Sequence, residues 1–236
     1  MDAKEGAGVT SQTLSRGIRI LEALAARGTA TSTPELAAEL GLHRSITYRL
    51  IRTLEEHRLV VRDERGLFEL GPRLASLAAT VERDLQQAAL PALRSAAEDL
   101  GATCFLVQHD RDEAITLASV QPPRSTVMIA QHPGTRHPLG IGAPGRAVLS
   151  LLPRERWPEE LSEQHRVEVE AVRESGYAFS HDEVIPGLQA VAVPLELRGH
   201  EALALGVAFL ALELSPEEIG ARLRQAAAEV RTAFDV

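Results

Sequence analysis

The sequence contains a single cysteine, Cys104, among 236 residues. One cysteine excludes an internal disulfide and a cysteine-cluster metal site. Because it lies in the apolar segment 104–107, we interpret it as a buried structural thiol and not as a nucleophile. No apolar run approaches the ~20 residues of a membrane-spanning helix, and the first residues lack the apolar segment of a secretory signal. These absences predict a cytoplasmic protein that does not enter a membrane.

Motifs of several enzyme classes are also missing. The sequence has no G-x-S-x-G nucleophile elbow and no phosphate-binding P-loop. His132 and His137 lie in a Pro- and Gly-rich segment, without the helical spacing and companion carboxylate of a zinc-binding helix. The adjacent Asp182 and Glu183 would point to opposite faces of a strand, which disfavours a catalytic carboxylate pair. We therefore predict no catalytic residue, no metal site and no cofactor.

The net charge of −8 is distributed unevenly along the chain. Residues 10–75 contain ten arginines and eight acidic residues, a net charge of +2, whereas residues 76–236 carry −9. Because salt screens charges beyond ~8–10 Å, a nucleic acid would experience mainly the region that contacts it. The small positive charge does not support a broad basic surface, so any affinity for a nucleic acid would have to come from a few placed arginines and from dimerisation.

The segment 33–59 has the pattern of two short helices joined by a tight turn. Thr33 and Pro34 are typical of a helix start, and Gly41 suits the turn because glycine becomes left-handed without steric cost. From Arg44 onward the period is helical again and predicts a buried stripe on one face. That stripe consists of Thr47, Leu50, Ile51 and Leu54. The opposite face carries Arg44, Ser45, Tyr48, Arg49 and Arg52. Alone, this pattern also fits an ordinary amphipathic hairpin with a solvated basic face.

A β-hairpin follows the two helices. Residues 59–61 and 67–70 are predicted strands, and the polar segment 62–66 between them ends in glycine. Upstream, a third helix opens near residues 10–11 and ends at Gly28, with an apolar face of Leu14, Ile18, Leu21 and Leu24. This order predicts a winged helix-turn-helix whose second hairpin helix enters a DNA groove.

These residues resemble the IclR-type bacterial transcription regulators. The resemblance lies in SRGIRILEAL, TPELAAELGLHRSITYRLIRTLEEHRLV and FELGPRLASLA, and in ESGYAFSHDEVIPGLQAVAVPL nearer the C terminus. It covers nearly the whole chain from about residue 11, and its two ends match independently. One departure is that the family usually has a small polar residue at Ile46 and an aliphatic residue at Thr47. Here the two characters are exchanged.

The resemblance implies an α+β fold with an N-terminal winged helix-turn-helix, a linker helix, and a C-terminal GAF/PAS-like antiparallel sheet with flanking helices. It implies a ligand-responsive regulator that binds an inverted repeat of double-stranded DNA as a homodimer or homotetramer. We expect a disordered leader at 1–9, the DNA-binding domain at 10–72, the linker helix at 73–87 and the effector-binding domain at 88–236. The alternatives are a sensor whose winged helix contacts protein, and a GAF-like enzyme acting through Cys104.

In this interpretation the second hairpin helix and the wing contact DNA. Arg44 and Arg49 would contact phosphates or guanine edges. Ser45 and Tyr48 would contact phosphates or bases, and Ile46 a thymine methyl group. Further candidates are Arg52 on the helix and Arg62 and Arg65 in the wing.

The C-terminal half alternates predicted strands and helices. Strands are expected at 103–109, 114–120, 125–130, 177–184, 188–195 and 202–210. Helices are expected at 73–83, 88–100, 145–152, 163–175 and 215–234. Residues 131–144 contain three prolines and three glycines and are predicted to form a functional or mobile loop.

Two of these strands carry a face of mainly small residues. One face consists of Ala202, Ala204, Gly206 and Ala208, and the other of Leu188, Ala190 and Ala192. Because protein interiors are closely packed, such faces must be filled by a closely approaching helix or by a ligand. The residues leave both alternatives open. The resemblance favours a ligand, because these strands line the effector pocket of the family.

Family members that bind small polar acids tend to have serines at the positions of Gly206 and Ala208 and a polar residue near Ala190. Here all three positions are apolar or bare backbone, and burying a carboxylate without donors is strongly unfavourable. We therefore expect an effector with a substantial apolar or aromatic part, whose polar end is held by loop backbone N–H groups. The expected effector-binding residues are His137, Leu139, Gly140, Gly142, Asp182, Leu188, Ala190, Gly206 and Ala208.

Overall fold

The computed structural model describes residues 11–123 and 131–234. The chain divides between Val81 and Glu82 into two compact units. The predicted α+β fold is confirmed, with a helix-turn-helix in the first unit and a helix-flanked antiparallel sheet in the second. The predicted leader 1–9 and the predicted strand 125–130 lie outside the described residues. Within those residues, no helix is long and apolar enough to cross a membrane.

The first unit combines helices with a two-stranded antiparallel sheet. Its elements are α1 (Gln12–Arg27), α2 (Thr33–Leu40), α3 (Arg44–Glu56), β1 (Val60–Arg62), β2 (Phe68–Leu70) and α4 (Arg73–Ala78). The N-cap of α2 is Ser32, one residue before the predicted Thr33. The Ser32 hydroxyl accepts from the N–H of Glu35, whose carboxylate accepts in return from the N–H of Ser32. This reciprocal pair fixes where the helix-turn-helix begins.

The buried face of α1 differs from the predicted one. Ile20 and Leu24 are buried in the core, but Leu14 is 64 % exposed and Ile18 is 46 % exposed. The core of this unit reaches only the part of α1 that begins at Gly17. Helical spacing from Gly17 through Ile20 to Leu24 therefore defines the buried line. Leu14 precedes this line, and Ile18 lies about 100° around the helix from Gly17, so both stay on the surface.

The second unit is built on a six-stranded antiparallel sheet with the order β5-β4-β3-β8-β7-β6. Its strands are β3 (Thr103–Asp110), β4 (Glu113–Val120), β5 (Arg136–Pro138), β6 (Ala178–His181), β7 (Gln189–Leu195) and β8 (Leu203–Phe209). Its helices are α5 (Arg83–Leu100), α6 (Gly142–Leu151), α7 (Glu163–Ser175) and α8 (Pro216–Phe234), with a 3-10 turn at Arg154–Arg156.

The connection between the units differs from the predicted linker. The helix expected at 73–83 ends at Ala78, and α5 begins at Arg83, five residues before the expected start at 88. Glu82 precedes α5 with a φ of 46°, a left-handed conformation that interrupts helical continuity. Pro91 lies inside α5, where it removes one backbone hydrogen bond without ending the helix.

The segment expected to be a loop over 131–144 is more regular than predicted. It contains β5, which pairs with β4, and the first turn of α6. Pro144 is compatible with this first turn, because the N–H groups there have no intrahelical partner. The next residue, Gly145, must lack a side chain because the backbone of Leu139 approaches it closely. A Cβ at this position would lie 2.3 Å from the carbonyl oxygen of Leu139.

Helices cover both faces of the sheet. On one face, α5 and α8 pack against large aliphatic side chains such as Leu106 and Leu205, together with the buried Cys104. Burial raises the pKa of the Cys104 thiol to about 12, so it stays protonated and unreactive. On the other face, α6 and α7 pack against small residues such as Ala192 and Ala204. The candidate effector residues Leu139, Leu188, Ala190 and Ala208 belong to the core on this second face.

Candidate functional site

The two faces of α3 differ as the sequence predicted. Thr47 and Ile51 are fully buried, and Leu50 and Leu54 are half-buried against the core of the first unit. Six candidate DNA-contacting residues lie on the exposed part of the helix: Arg44, Ser45, Ile46, Tyr48, Arg49 and Arg52. The helix therefore presents cationic and hydrogen-bonding side chains to solvent while its apolar stripe anchors it.

The N terminus of α3 is fixed by His43, which sequence reasoning did not single out. Its Nδ1 atom lies 3.3 Å from the backbone nitrogen of Ser45, which donates to it, and 2.8 Å from the Ser45 hydroxyl. The hydroxyl of Thr47 donates to the backbone carbonyl of His43 over 3.3 Å. These contacts set the direction of the first turn of α3, on which Arg44 and Ile46 are carried.

The arginines of α3 differ from those of the wing in their partners. Within the described ranges, no carboxylate forms an ion pair with Arg44, Arg49 or Arg52, so their guanidinium groups keep their hydrogen-bonding capacity. Arg62 instead donates from Nε to the carbonyl of Gly66 over 3.2 Å. Arg65 pairs with Asp63 at 3.1 Å.

A cavity lies on the α6 face of the second unit, with a free volume of about 40 Å³. Its wall is formed by the start of α6, by the segment between β6 and β7, and by β3, β7 and β8. The lining residues are Phe105, Gln131, His137, Ile141, Gly142, Pro144, Ser180, Glu183, Val184, Leu188, Gln189, Ala190 and Ala208.

Five of the nine candidate effector residues line this cavity, and four do not. The five lining residues are His137, Gly142, Leu188, Ala190 and Ala208. Leu139 is buried in the core with α6 and α7, and Gly140 approaches the side chain of Leu161. Asp182 is exposed, and its carboxylate accepts from the N–H of Gly187, which closes the segment between β6 and β7.

Gly206 is the fourth candidate outside the cavity, because the ring of Phe105 covers it. A Cβ at Gly206 would lie 2.6 Å from Cε2 and 2.7 Å from Cζ of Phe105. Farther along this face, α6 packs on β7 and β8. The small-residue faces are therefore filled in two ways: Phe105 and a helix occupy the centre, and the cavity begins at Ala190 and Ala208.

An ion pair between a buried arginine and a partly exposed carboxylate lies beside the cavity. Arg146 of α6 has only 2 % of its surface exposed, and its Nη1 and Nη2 atoms donate to the Glu183 carboxylate over 2.8 and 2.7 Å. Nη2 also donates to the carbonyl of Phe179 over 2.7 Å, and Glu168 approaches Nη1 to 3.3 Å. This bidentate geometry is the strong form of an arginine–carboxylate pair.

Glu183 also occupies the N terminus of α6. The N–H of Gly142 donates to Glu183 Oε2 over 2.8 Å, and the N–H of Ala143 donates to the Ser180 hydroxyl over 2.9 Å. Burial alone would raise the pKa of Glu183, but the hydrogen bonds from Arg146 and Gly142 outweigh it and lower that pKa. The N–H of Gly142, which the sequence predicts to hold an effector, is therefore already bonded within the chain.

Two further N–H groups of the same segment are also occupied. Leu139 donates to the carbonyl of Asp112 over 3.2 Å, and Ile141 donates to the carbonyl of Pro138 over 3.2 Å. Both bonds fold the chain into the bend that precedes α6.

Another part of the lining, formed by Gln131 and His137, is polar and uncharged. Gln131 is buried, and its Nε2 atom donates to the Thr116 hydroxyl over 2.7 Å. Both Nε2 and Oε1 of this amide lie 3.2 Å from Nε2 of His137. Burial lowers the pKa of His137, against a smaller opposing effect of Glu113, so the imidazole is neutral at physiological pH.

Sequence reasoning did not predict five residues of this arrangement: Phe105, Gln131, Arg146, Ser180 and Glu183. Arg146 had a usable signal, because it is the one charged residue of the helical segment 142–151. A charge in an apolar helix requires a buried partner, which directs attention to carboxylates elsewhere in the chain. Phe105, Gln131 and Ser180 carried no local signal.

The described residues do not form a metal site, and His132 and Cys104 lie away from the cavity. Within residues 11–123 and 131–234, no group of three His, Cys, Asp or Glu side chains could hold a metal ion. His132 is exposed and does not line the cavity. Cys104 lies on the opposite face of the sheet, beneath α5 and α8.

Comparisons with known proteins agree along the whole chain. The IclR helix-turn-helix domain model matches residues 13–64, and the model of the bacterial transcriptional regulator IclR C-terminal domain matches residues 77–232. The chain is 30 % identical over 215 residues to the HTH-type transcriptional regulator TtgV of Pseudomonas putida, covering 82 % of this chain and 80 % of that protein.

Solved structures show the same likeness. An IclR transcriptional regulator from Alicyclobacillus acidocaldarius is 28 % identical with a TM-score of 0.83, covering 95 % of this chain and 99 % of that one. An IclR homologue from Microbacterium hydrocarbonoxydans, complexed with 4-hydroxybenzoate, is 21 % identical with a TM-score of 0.82 and the same coverage of 95 % and 99 %.

Proposed function

Because the chain belongs to the IclR family of bacterial transcriptional regulators, we propose that α3 is its recognition helix and that the cavity beside α6 is its effector site. It is a ligand-responsive DNA-binding regulator, and its relatives are regulators and not enzymes. The observation that carries the first proposal is the two-sided α3, with a buried apolar stripe opposite three arginines.

The roles of the DNA-contacting residues follow from their positions and partners. Arg44 and Arg49 contact phosphates or guanine edges, and Arg52 contacts phosphates farther along the helix. Tyr48 is 51 % exposed and reaches phosphate or base, and Ile46 contacts a thymine methyl group. Ser45 is a phosphate or base ligand whose hydroxyl His43 orients. Arg62 and Arg65 act from the wing as weaker backbone contacts, because the wing already engages them.

Dimerisation completes this mode of binding. A region with a net charge of +2 gives one winged helix little nonspecific attraction to DNA, so two copies are needed for tight binding. We propose a homodimer or homotetramer on an inverted repeat, with half-site centres about 10 bp, or a multiple of that, apart. Access to chromosomal DNA implies a cytoplasmic location.

The assignment of α3 as the recognition helix is tested by replacing exposed residues that do not contact the core. Arg44→Ala and Tyr48→Ala are expected to weaken binding to a selected operator by about 10- to 100-fold each, with an unchanged melting temperature. Arg94→Ala is the matched control, because it removes an exposed arginine from the second unit. Operator affinity of both variants equal to that of wild type and Arg94→Ala would reject α3 as the recognition helix.

The effector proposal rests on the composition of the cavity. Its wall combines apolar side chains from Phe105, Val184 and Leu188 with a few polar groups, which is typical of small-molecule sites. The bound aromatic acid of the Microbacterium relative supports an aromatic or partly apolar effector for this chain. Effector and DNA binding are coupled only if the ligand prefers one arrangement of the recognition helices over another.

Ligand entry requires part of the wall to move. A cavity of about 40 Å³ is smaller than the ~150 Å³ of an engineered cavity that binds benzene. Val184, which is 47 % exposed, and Ile141 stand at the rim and can move outward without opening the core. The segment that carries Val184 also carries Glu183, so entry of an effector acts directly on the ion pair with Arg146.

A further inference from the structure

We infer that the effector cavity selects an uncharged ligand with a hydrogen-bonding group and rejects carboxylates, because Glu183 already holds the donors that a bound carboxylate would need. This inference rests on the proposed effector site and specifies the chemical class of its ligand. It concerns the end of the cavity formed by α6 and the segment between β6 and β7.

The strongest donors at this end are already bonded to the chain itself. Arg146 directs both terminal nitrogens at Glu183, and the N–H of Gly142 donates to the same carboxylate. The N–H of Ala143 donates to the Ser180 hydroxyl. An incoming carboxylate would have to displace Glu183 from a cation and a helix N terminus, or remain without an equivalent partner.

Charge repulsion adds to this lack of donors. Among the described lining residues, the ionisable side chains are Glu183 and His137. The nearby Arg146 guanidinium is already held by Glu183, and half-buried His137 is neutral because its pKa is lowered, so neither offers a free positive charge to a ligand. A second carboxylate in this small space would approach Glu183 closely, and two like charges in a partly buried site disfavour each other.

An uncharged polar group finds partners instead. The Ser180 oxygen accepts from Ala143, which leaves its own hydrogen free to donate into the cavity. Elsewhere in the lining, the Gln131 oxygen keeps a second lone pair and the His137 imidazole a second ring nitrogen, besides the contact that joins the two side chains. With Phe105 and Ala208 as apolar surface in the same lining, the cavity fits an apolar ring that bears a hydroxyl or carboxamide.

Pairs of acids and their carboxamides test this class directly, because the two members have nearly the same shape. The probes are benzoate with benzamide, 4-hydroxybenzoate with 4-hydroxybenzamide, and 2-naphthoate with 2-naphthamide. Binding of each to the full-length protein at pH 7.5 is measured by calorimetry and by thermal shift, up to millimolar concentration. The amide of each binding pair is expected to bind at least about tenfold more tightly than the acid.

Two variants assign this preference to Glu183. Glu183→Gln keeps a hydrogen-bonding side chain but leaves Arg146 and Gly142 with a neutral partner, so acids should gain about tenfold relative to amides. Glu168→Gln removes a carboxylate from the same arginine without altering the lining, and should leave the preference unchanged. If Glu183→Gln does not fold, the acid-to-amide ratio of the wild-type protein still decides the inference.

The possible outcomes separate the ligand class from the site. Equal binding of acid and amide, or tighter binding of the acid, would overturn the inference while leaving the effector site in place. No binding of any probe, or binding unchanged in Ala208→Val, would overturn the site itself and the inference with it. Amide preference that Glu168→Gln and Glu183→Gln alter equally would reject Glu183 as its origin.

Discussion

The two faces of the six-stranded sheet are packed by different means, and β8 contributes to both. Leu205 and Val207 point into the layer of α5 and α8, where large aliphatic side chains meet. Gly206 and Ala208 belong to the other side, where one is covered by Phe105 and the other borders a cavity. Alternate residues of β8 thus face two different layers: one is a closely packed core, and the other contains the candidate binding cavity.

This difference has an energetic consequence. On the α5 and α8 face, each large side chain fills the space that it needs, so removing atoms leaves a void. On the α6 face, the strands supply little volume and distant residues fill the space. The effect of a substitution on stability there should depend on which distant side chain the new atoms displace. At the cavity, the new atoms should simply occupy free space.

The largest effect is expected for Leu205→Ala on the aliphatic face. Leu205 is fully buried, and its truncation should lower the free energy of unfolding by about 2–5 kcal/mol, through lost burial and the remaining void. Urea denaturation of the full-length protein measures this change. A loss below about 1 kcal/mol would mean that this face is no more tightly packed than the cavity face.

A smaller loss is expected for Gly206→Ala, one residue along the same strand. The added methyl group would meet Phe105 at 2.6 Å, so the ring must move, at a cost of about 1–3 kcal/mol in the free energy of unfolding. The double variant Gly206→Ala/Phe105→Leu should lose less than the sum of the two single changes, since the collision is removed. Additive losses would indicate that Phe105 does not fill this position.

The pH dependence of stability should reveal the polar wall of the cavity. Burial holds the pKa of His137 below its ordinary value of about 6.5, whereas the unfolded chain titrates at that value. As the pH falls below about 6.5, the unfolded state therefore gains a proton that the folded state resists. Stability should fall with decreasing pH in this window, by up to about 1.4 kcal/mol per pH unit.

His137→Gln should remove this slope, and His132→Gln should leave it unchanged because His132 is exposed on the same segment. Chemical denaturation between pH 5 and pH 7.5 compares the three proteins. Glu183 does not interfere, because its lowered pKa places its own loss of stability at more acidic pH, as protonation removes the ion pair with Arg146. Equal slopes in wild type and His137→Gln would show that the imidazole is not shielded from water.

The comparison of the two faces also explains what the sequence could predict. Helical and strand periods were sufficient for the winged helix-turn-helix, for α7 and for five strands of the large sheet, whereas β5 lies in the segment predicted to be a loop. The face of α1 was misassigned at Leu14 and Ile18, since periodicity identifies an apolar stripe but not how far along the helix its partner extends. Glu82 interrupted the linker through a single backbone conformation.

The candidate site was less predictable for a physical reason. Small residues such as Gly206 and Ala208 indicate that something approaches closely, but they do not specify what. Phe105 and Arg146 reach this face from a different strand and from a helix, so the occupant depends on contacts between distant parts of the chain. The ion pair of Glu183 was not predictable from its neighbours in sequence, because its partner Arg146 lies 37 residues earlier.

The smallest effect on stability is expected for Ala208→Val, and it is the sharpest test of the difference between the faces. Ala208 borders free volume, so two added methyl groups should occupy the cavity and change the free energy of unfolding by no more than about 0.5 kcal/mol. Valine also suits a strand, where β-branched side chains are favoured.

The same substitution should abolish the thermal shift produced by any ligand of the cavity, because the ligand and the methyl groups compete for one space. Gly206→Ala provides the contrast, since it destabilises the protein before any ligand is added. Measuring melting temperatures of both variants with and without an aromatic carboxamide distinguishes the two positions. A large drop for Ala208→Val without ligand would mean that its surroundings are as closely packed as those of Leu205, and that no ligand binds at this end of β8.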